Sequence, residues 1–314
     1  MTLVWMFLGF LLLAIGGRFI LRSAVAISLR FNISKLVIGM TVVAFATSSP
    51  ELLVSLKAAF NGSPSIAMNN VIGSNIANIG LVLGLIALIG DIAVTKSFYK
   101  INWPVMTFFS LILYLFIKDD KLLSRNEGLF LISCLTLFLF FLIRYKSNNS
   151  NITKVIEEKS LSASLPKIII WLIISSFSLY YGASLLVSSS VILATSLGVS
   201  EAVISVSAIA VGTSIPELAT SIVAIANKEK GISIGNIIGS NIFNIGSVLG
   251  LTSIIKPIHI YDLNILNRDI LVMLLFTFLI LIFSKLPKKN IINKIKGLTF
   301  ITFYSMYIIY IYIY

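Results

Sequence analysis

Apolar runs of about the length of a bilayer follow one another along almost the whole chain, separated by short polar connections. A helix needs roughly 20 apolar residues to cross the hydrocarbon core. Only 11% of the 314 residues are charged and 58% are hydrophobic, whereas soluble proteins carry about 25% charged residues. A transmembrane β-barrel would instead show alternating segments of about ten residues. The pattern therefore predicts an all-α integral membrane protein.

The runs predict ten transmembrane helices. The first is interpreted as a spanning helix rather than a cleaved signal peptide, because no basic segment precedes it and no small-residue cleavage site follows it. The predicted spans are 2–25, 35–60, 67–89, 103–117, 127–144, 167–190, 200–227, 233–255, 269–284 and 297–313. The second, third, seventh and eighth are rich in Gly, Ser, Thr and Asn. The fourth, fifth, ninth and tenth consist mostly of large apolar residues, which is typical of lipid-facing helices.

The two halves of the chain repeat each other at a constant offset. Thr47-Ser48-Ser49-Pro50-Glu51 is matched 166 residues later (217 − 51) by Thr213-Ser214-Ile215-Pro216-Glu217, and the segment 70–80 is matched without a gap by 236–246. Each half has five spans, an odd number, so the second half must cross the membrane in the opposite sense. The prediction is two inverted five-helix repeats, an architecture of secondary transporters. They comprise residues 1–145 and 167–314, joined by a polar linker at 146–166.

The distribution of Lys and Arg assigns the two sides of the membrane. Connections on one side carry seventeen of these residues and connections on the other carry five. Because basic residues are enriched in cytoplasmic connections, we predict a multi-pass protein of the plasma membrane with a cytoplasmic linker and both termini outside. The net charge of +12 is then explained by contact with anionic lipid. The expected surroundings are the lipid bilayer, with no nucleic acid and no obligate protein partner.

Two acidic residues stand out among the twelve, because only Glu51 and Glu217 lie well inside predicted spans. A carboxylate at this depth costs about 2.5–3.5 kcal/mol even on insertion scales, and no Lys or Arg is placed at a matching depth. Protons or cations from solution must compensate the charge. The alternative is that each glutamate is protonated and hydrogen-bonded in the core. The presence of two glutamates at symmetric positions makes this alternative less favourable.

The residues around the two glutamates offer oxygen ligands. Each proline lacks an N–H and crowds the carbonyl four residues earlier, and such irregular backbone is tolerated in a membrane only where it lines a cavity or is covered by protein. Oxygen ligation suits Ca²⁺ and Na⁺ rather than Zn²⁺, and two carboxylates are neutralised by one Ca²⁺ or by two Na⁺. For the Ser and Asn side chains, hydrogen bonding between helices is the alternative role. The candidate metal ligands are Glu51, Glu217, Thr47, Thr213, Ser48, Ser214, Ala44, Ala210, Ser74, Ser240, Asn78 and Asn244.

These motifs resemble the α-repeats of the Ca²⁺/cation antiporter superfamily, especially its Na⁺/Ca²⁺ exchanger branch. The resemblance implies a secondary antiporter that exchanges Ca²⁺ for Na⁺ by alternating access, with the ions as substrates, no cofactor and no enzymatic activity. In that family the Glu after Pro binds both ions and the Thr carbonyls share the Ca²⁺ site. It also implies that the Ala carbonyls, the Thr-Ser pairs and the Ser of the second motif line Na⁺ sites, with the Asn side chains beside the central site.

The first repeat departs from the family pattern at two positions. Ala46 stands where the family has Gly, whereas the equivalent residue of the second repeat, Gly212, keeps the Gly. Asn69 likewise replaces a family Gly that the second repeat keeps at Gly235. Asn244 replaces the Asp of some relatives, including K⁺-dependent exchangers, which argues against K⁺ cotransport. A Ca²⁺/H⁺ antiporter of the same fold is the alternative function. A membrane-embedded enzyme or a cation channel is less consistent with the sequence, since no nucleophile–base pair lies at depth.

Overall fold

The computed structural model describes residues 2–144, 163–196, 212–287 and 290–313. Within these ranges seven helices are long and apolar enough to cross a membrane, or eight if the bent pair Lys35–Thr47 and Ser49–Phe60 is counted as one span. The prediction of a helical, multi-pass membrane protein is therefore confirmed. The predicted linker 146–166 as far as residue 162, and the predicted span 200–227 as far as residue 211, lie outside the described residues. The last two linker residues, Leu165 and Pro166, are already helical.

The first half contains eight helices, three π-helical turns and two short strands in the described part of the chain. The helices are α1 (Thr2–Phe31), α2 (Lys35–Ile38), α3 (Ala44–Thr47), α4 (Ser49–Phe60), α5 (Ser65–Ala77), α6 (Gly84–Ile89), α7 (Trp103–Lys118) and α8 (Arg125–Arg144). The turns are Gly39–Val43, Asn78–Leu83 and Phe98–Asn102, and the strands are β1 (Ile92–Ala93) and β2 (Leu122–Leu123).

The described part of the second half follows the same order from α4 onwards. Its helices are α9 (Leu165–Ser196), α10 (Ile215–Ala226), α11 (Lys230–Phe243), α12 (Gly250–Ile255), α13 (Ile270–Lys285) and α14 (Lys294–Ile313). Its π-helical turns are Asn244–Leu249 and Ile265–Asp269, and its strands are β3 (Ile258–His259) and β4 (Ile291–Ile292). Several helices are longer than predicted from the apolar runs, because helical hydrogen bonding continues past the end of the apolar segment.

The repeat in the sequence is reproduced in the backbone. Helix α10 begins and ends 166 residues after α4 (215 − 49 and 226 − 60), and the turn Asn244–Leu249 follows the turn Asn78–Leu83 at the same offset. The residues that precede α4 and α10 have nearly identical backbone angles, with φ −86° and ψ 1° at Ser48 and φ −88° and ψ 1° at Ser214. At Ser48 the helix axis bends by 42°. The two motifs therefore start the following helix in the same way.

The Gly-, Ser- and Asn-rich helices form the centre of the molecule. In the span Ser65–Ile89, 72% of the 18-residue apolar segment is buried, and in Lys230–Ile255 the buried share is 83%. In the other candidate spans the buried share is 22–39%. Small residues allow this close approach: a Cβ on Gly239 would lie 2.7 Å from the Cα of Met40 and from the Cβ of Ala44. The broken helix α2–α3 therefore packs directly on α11.

Contacts between connections tie the two halves together at both ends of the helices. Strand β1 pairs with β4 and strand β2 pairs with β3, both antiparallel. On the side of β1, Lys35 Nζ lies 2.6 Å from Glu229 Oε1 and Lys230 Nζ donates to the Asp91 carbonyl at 2.6 Å. At the other end, Arg125 Nη2 donates to the Ile255 carbonyl at 3.5 Å. Each end of the helix bundle is thus closed by one strand pair and by side-chain contacts between the halves.

Candidate cation site

The two intramembrane carboxylates come from equivalent places in the fold. Glu51 lies in the first turn of α4, directly after Pro50, and Glu217 lies in the first turn of α10, directly after Pro216. Both are fully buried, and Ser48, three residues before Glu51, donates to Glu217 Oε1 at 3.2 Å. The first N–H groups of a helix have no partner within the helix, and the positive end of its dipole favours an anion. The helix starts therefore stabilise negative charge at the centre of the protein.

Hydroxyl groups from both halves surround Glu217. Ser48 Oγ and Ser240 Oγ each donate to Glu217 Oε1 at 3.2 Å. Thr47 Oγ1 lies 3.3 Å from Ser240 Oγ and donates to Asn236 Oδ1 at 3.0 Å. The structure therefore brings together four of the predicted ligands, two from each half of the chain, in one network.

The surroundings of Glu51 are different. Neither of its carboxylate oxygens has a hydrogen-bond partner among the described residues. Ser74, the counterpart of Ser240, instead donates to the Asn70 carbonyl at 2.7 Å and lies 2.8 Å, Oγ to Oγ1, from Thr213. Ser214 Oγ donates to the Ser74 carbonyl at 3.5 Å. The serines equivalent to those that donate to Glu217 therefore bond other atoms rather than the Glu51 carboxylate.

The two predicted asparagine ligands lie at the starts of π-helical turns. Asn78 and Asn244 are both fully buried, and Asn244 Nδ2 donates to Asn75 Oδ1 at 3.2 Å. Asn244 Oδ1 and both polar atoms of the Asn78 amide have no hydrogen-bond partner within the described ranges. A buried polar atom without a partner costs about 1–3 kcal/mol. These amides, like the Glu51 carboxylate, thus have oxygen atoms that are available for a cation.

The predicted ligand Ala44 has a carbonyl oxygen that also takes part in the helix. It accepts from Ser48 N at 2.9 Å and from Thr47 Oγ1 at 3.3 Å. The helix therefore keeps its regular bond as far as Ser48 before it bends. The equivalent residue, Ala210, lies outside the described residues.

The sequence analysis missed buried side chains that hold the site in place. Asn236 Nδ2 donates to the Glu217 carbonyl at 3.4 Å and to Ser221 Oγ at 3.3 Å, while its Oδ1 accepts from Thr47. In the first half, Asn70 Nδ2 donates to Ser55 Oγ at 3.5 Å. The two Asn–Ser pairs have the same spacing of 15 residues (236 − 221 and 70 − 55). The exact repetition of these polar residues in both halves was the sequence signal that could have identified them.

The two departures of the first repeat have a steric explanation. A Cβ on Gly235 would meet the Leu36 carbonyl and lie 3.0 Å from Gly39 Cα, whereas Asn69 is exposed and borders a cavity of about 290 Å³. Likewise, a Cβ on Gly212 would lie 2.9 Å from Val187 Cγ2, while Ala46 is accommodated in an apolar cluster. Side chains are therefore accepted in the first half where close packing excludes them in the second.

The candidate ligands are all oxygen atoms, namely two carboxylates with hydroxyl, amide and backbone oxygens. The described residues contain no cluster of three or more His, Cys, Asp or Glu side chains. A set of oxygen ligands suits hard cations. The fold and the site together define a multi-span membrane protein with a buried, oxygen-lined centre of negative charge.

Comparisons with known proteins agree with this class. The family model described as "Sodium/calcium exchanger protein" matches residues 1–144 and 167–313. Inner membrane protein YrbG of Escherichia coli K12 is 35% identical over 273 residues, covering 85% of this chain and 83% of YrbG. Sodium/calcium exchanger MaX1 of Methanosarcina acetivorans is 28% identical over 341 residues, covering 96% of each chain.

A solved structure is similar over nearly the whole chain. The sodium-calcium exchanger NCX_Mj, soaked with zero Na⁺ and Ca²⁺, superimposes with a TM-score of 0.82 at 32% identity and covers 97% of both chains. The chain belongs to the sodium/calcium exchanger family, as the resemblance of its two motifs implied. It is a multi-pass membrane protein of a transporter family rather than an enzyme family.

Proposed function

We propose that this protein exchanges Ca²⁺ for Na⁺ at a shared site between Glu51 and Glu217. The observation that carries the proposal is the pair of fully buried carboxylates, each in the first turn of an equivalent helix after a proline. One Ca²⁺ or two Na⁺ would neutralise the pair, so the ions would compete for the same charge. Relatives support this choice of ions, because MaX1 and NCX_Mj are both named as sodium/calcium exchangers.

The ligands would divide between the two ions. The glutamates would bind both ions and the backbone carbonyls of Thr47 and Thr213 would contribute to the Ca²⁺ site. Polar side chains and carbonyls around them would bind Na⁺ or line the centre: Ser48, Ser214, Ser74, Ser240, Ala44, Ala210, Asn78 and Asn244. The unpartnered oxygens of Glu51, Asn78 and Asn244 support this assignment, since hard cations bind such atoms.

The proposed architecture is ten spans in two inverted repeats, 1–145 and 167–314, with a linker at 146–166. In ten crossings, the connections that contain β1 and β4 fall on one side of the membrane, and those that contain β2 and β3 fall on the other. The observed strand pairs join these same connections, which supports the arrangement. The basic side, which includes the Lys35–Glu229 ion pair, would be cytoplasmic, with both termini outside.

Reconstituted protein provides the test. Proteoliposomes loaded with Na⁺ should take up ⁴⁵Ca²⁺, whereas K⁺-loaded vesicles and vesicles with only a pH gradient should not. Glu51→Gln and Glu217→Gln should abolish the uptake. Glu127→Gln, which changes an acid in the first turn of α8, should leave it intact. Uptake driven by a pH gradient without Na⁺ would instead assign the protein to Ca²⁺/H⁺ exchange.

A further inference from the structure

Asn244, one of the candidate ligands, has an amide side chain whose two ends differ in chemistry. The oxygen Oδ1 can bind a cation, whereas the nitrogen Nδ2 carries two N–H groups and would repel one. Asn244 is fully buried and lies one helical turn after Ser240, on the same face of the helix. Ser240 Oγ in turn donates to Glu217 Oε1 at 3.2 Å. Which end of the Asn244 amide faces the carboxylates therefore decides whether this residue can contribute to a cation site.

Asn75, in α5 of the other half, contacts the nitrogen end of this amide. Asn244 Nδ2 donates to Asn75 Oδ1 at 3.2 Å, and Asn75 is only 1% exposed, so bulk water does not compete for the contact. Because the nitrogen is engaged by Asn75, the oxygen at the other corner of the amide is directed away from it. Within the described residues, Asn244 Oδ1 has no hydrogen-bond partner. The amide is thus held with its nitrogen bonded to protein and its oxygen available for a cation.

The orientation of Asn75 is determined by the partners of its own nitrogen. Asn75 Nδ2 donates to the Asn241 carbonyl at 3.2 Å and to Met273 Sδ at 3.7 Å. A backbone carbonyl and a thioether sulfur can only accept hydrogen bonds, so a reversed Asn75 amide would place its oxygen against two acceptors. Its Oδ1 must therefore face Asn244. The two amides together transmit a fixed polarity from a backbone carbonyl to the oxygen of Asn244.

The equivalent pair of residues is arranged differently. Asn241 is the counterpart of Asn75 at the offset of 166 residues (241 − 75), and Asn78 is likewise the counterpart of Asn244 (244 − 78). Asn241 Nδ2 donates to the Ile237 carbonyl of its own helix at 3.0 Å. Neither polar atom of the Asn78 amide bonds any residue that the structure describes. The repeat therefore supplies a matched position, Asn241, which is buried and equally polar but does not engage its neighbouring candidate ligand.

We infer that Asn75 is a positioning residue for the cation site: by accepting from Asn244 Nδ2, it keeps Asn244 Oδ1 turned toward the cation. The inference rests on the proposed function, because it concerns the binding of the same ions, but it assigns a role to a residue that is not itself a ligand. Replacing a residue that orients a metal ligand typically lowers the affinity for the metal by about 10–100-fold. An effect at the lower end of this range is expected, because Asn244 is one ligand among several.

Equilibrium binding of ⁴⁵Ca²⁺ to the purified full chain tests the inference. Asn75→Ala should weaken binding about tenfold, because the Asn244 amide can then turn its nitrogen toward the cation. Asn241→Ala is the matched control and should leave the affinity nearly unchanged. It removes a side chain that donates to its own helix and keeps the backbone carbonyl to which Asn75 Nδ2 is bonded.

A ligand that needs no orientation separates positioning from a general structural role. A carboxylate presents an oxygen at either end, so Asn244→Asp should make the binding of Ca²⁺ independent of Asn75. In that background, Asn75→Ala should no longer weaken ⁴⁵Ca²⁺ binding. If Asn75 only supported the packing of the helices, its replacement would lower the affinity equally in both backgrounds.

The possible outcomes distinguish this inference from the proposed function. An unchanged affinity in Asn75→Ala, an equal loss in Asn241→Ala or an equal loss in the Asn244→Asp background would overturn the inference and leave the proposed function intact. A wild type that binds no Ca²⁺ would overturn both. If Asn75→Ala does not fold, Asn75→Leu, which keeps most of the side-chain volume, takes its place. Failure of both variants to fold would make the role of Asn75 structural and would also overturn the inference.

Discussion

Glu51 and Glu217 have the same sequence motif, the same helix position and the same burial, yet their bonding differs. Glu217 accepts hydrogen bonds from Ser48 and Ser240. Glu51 accepts none from the described side chains, and its equivalent serines bond elsewhere. A repeated sequence has therefore produced two unequal environments within one structure.

The difference shows that matching motifs do not impose matching hydrogen bonds. The serines at equivalent positions have different partners in the two halves, because each motif packs against different segments of the chain. The predictions below compare equivalent positions in the two halves.

The largest effect is expected from neutralising the carboxylates. Glu51→Gln and Glu217→Gln should each weaken Ca²⁺ binding at least about tenfold, because loss of one charged interaction costs about 1.5–3 kcal/mol. In ion-free buffer, Glu51→Gln should raise the unfolding midpoint more than Glu217→Gln, since it removes a buried carboxylate that accepts no hydrogen bond from the described residues. Thermal unfolding with and without Ca²⁺ measures both effects. Equal unfolding midpoints for the two variants would contradict the difference between the surroundings of Glu51 and Glu217.

The next effect concerns packing. Gly235→Ala should destabilise the protein by up to about 3 kcal/mol, because the added methyl meets the backbone of α2 and of the following turn. Asn69→Ala, at the equivalent exposed position, should change the stability by less than about 0.5 kcal/mol. Unfolding midpoints in detergent provide the comparison. A similar loss for both substitutions would contradict the steric explanation of this departure.

A smaller effect is expected from the asparagines behind the site. Asn236→Ala should cost about 1–2 kcal/mol, because it removes contacts to Thr47, to the Glu217 carbonyl and to Ser221. Asn70→Ala removes only a 3.5 Å contact to Ser55 and should cost less. Thermal stability and Ca²⁺ affinity should both follow this order. If Asn70→Ala were the more damaging, the first-half network would be stronger than its geometry indicates.

The smallest effect is expected from the serines. Ser48→Ala removes a donor to Glu217 and should change ion affinity by about 1 kcal/mol, or about fivefold. Ser214→Ala removes only a bond of 3.5 Å to the Ser74 carbonyl and should have less effect. The concentration of Na⁺ that half-inhibits Ca²⁺ binding measures both. Identical values for the two variants would argue for a site that is symmetric in solution.

Much of the fold could be predicted from local features. Apolar run lengths placed the helices, and the Pro-Glu motif placed the break at Ser48, because both depend on properties of short segments. Helix ends were less accurate: α1 continues to Phe31 rather than ending at 25. Hydropathy indicates where an apolar segment ends, but the backbone hydrogen bonds of a helix can continue beyond that point. The state of the Ala44 carbonyl could not be predicted, because it depends on whether Ser48 N keeps its regular bond.

The sequence by itself determined the family and the two buried acids, because the repeated motifs are distinctive and a glutamate inside an apolar span has to be covered by protein. The tertiary structure alone decided which serine bonds which carboxylate and why Gly235 must lack a side chain. These properties depend on distances between segments far apart in the chain. Two segments with matching sequences can differ in them, since each packs against different neighbours.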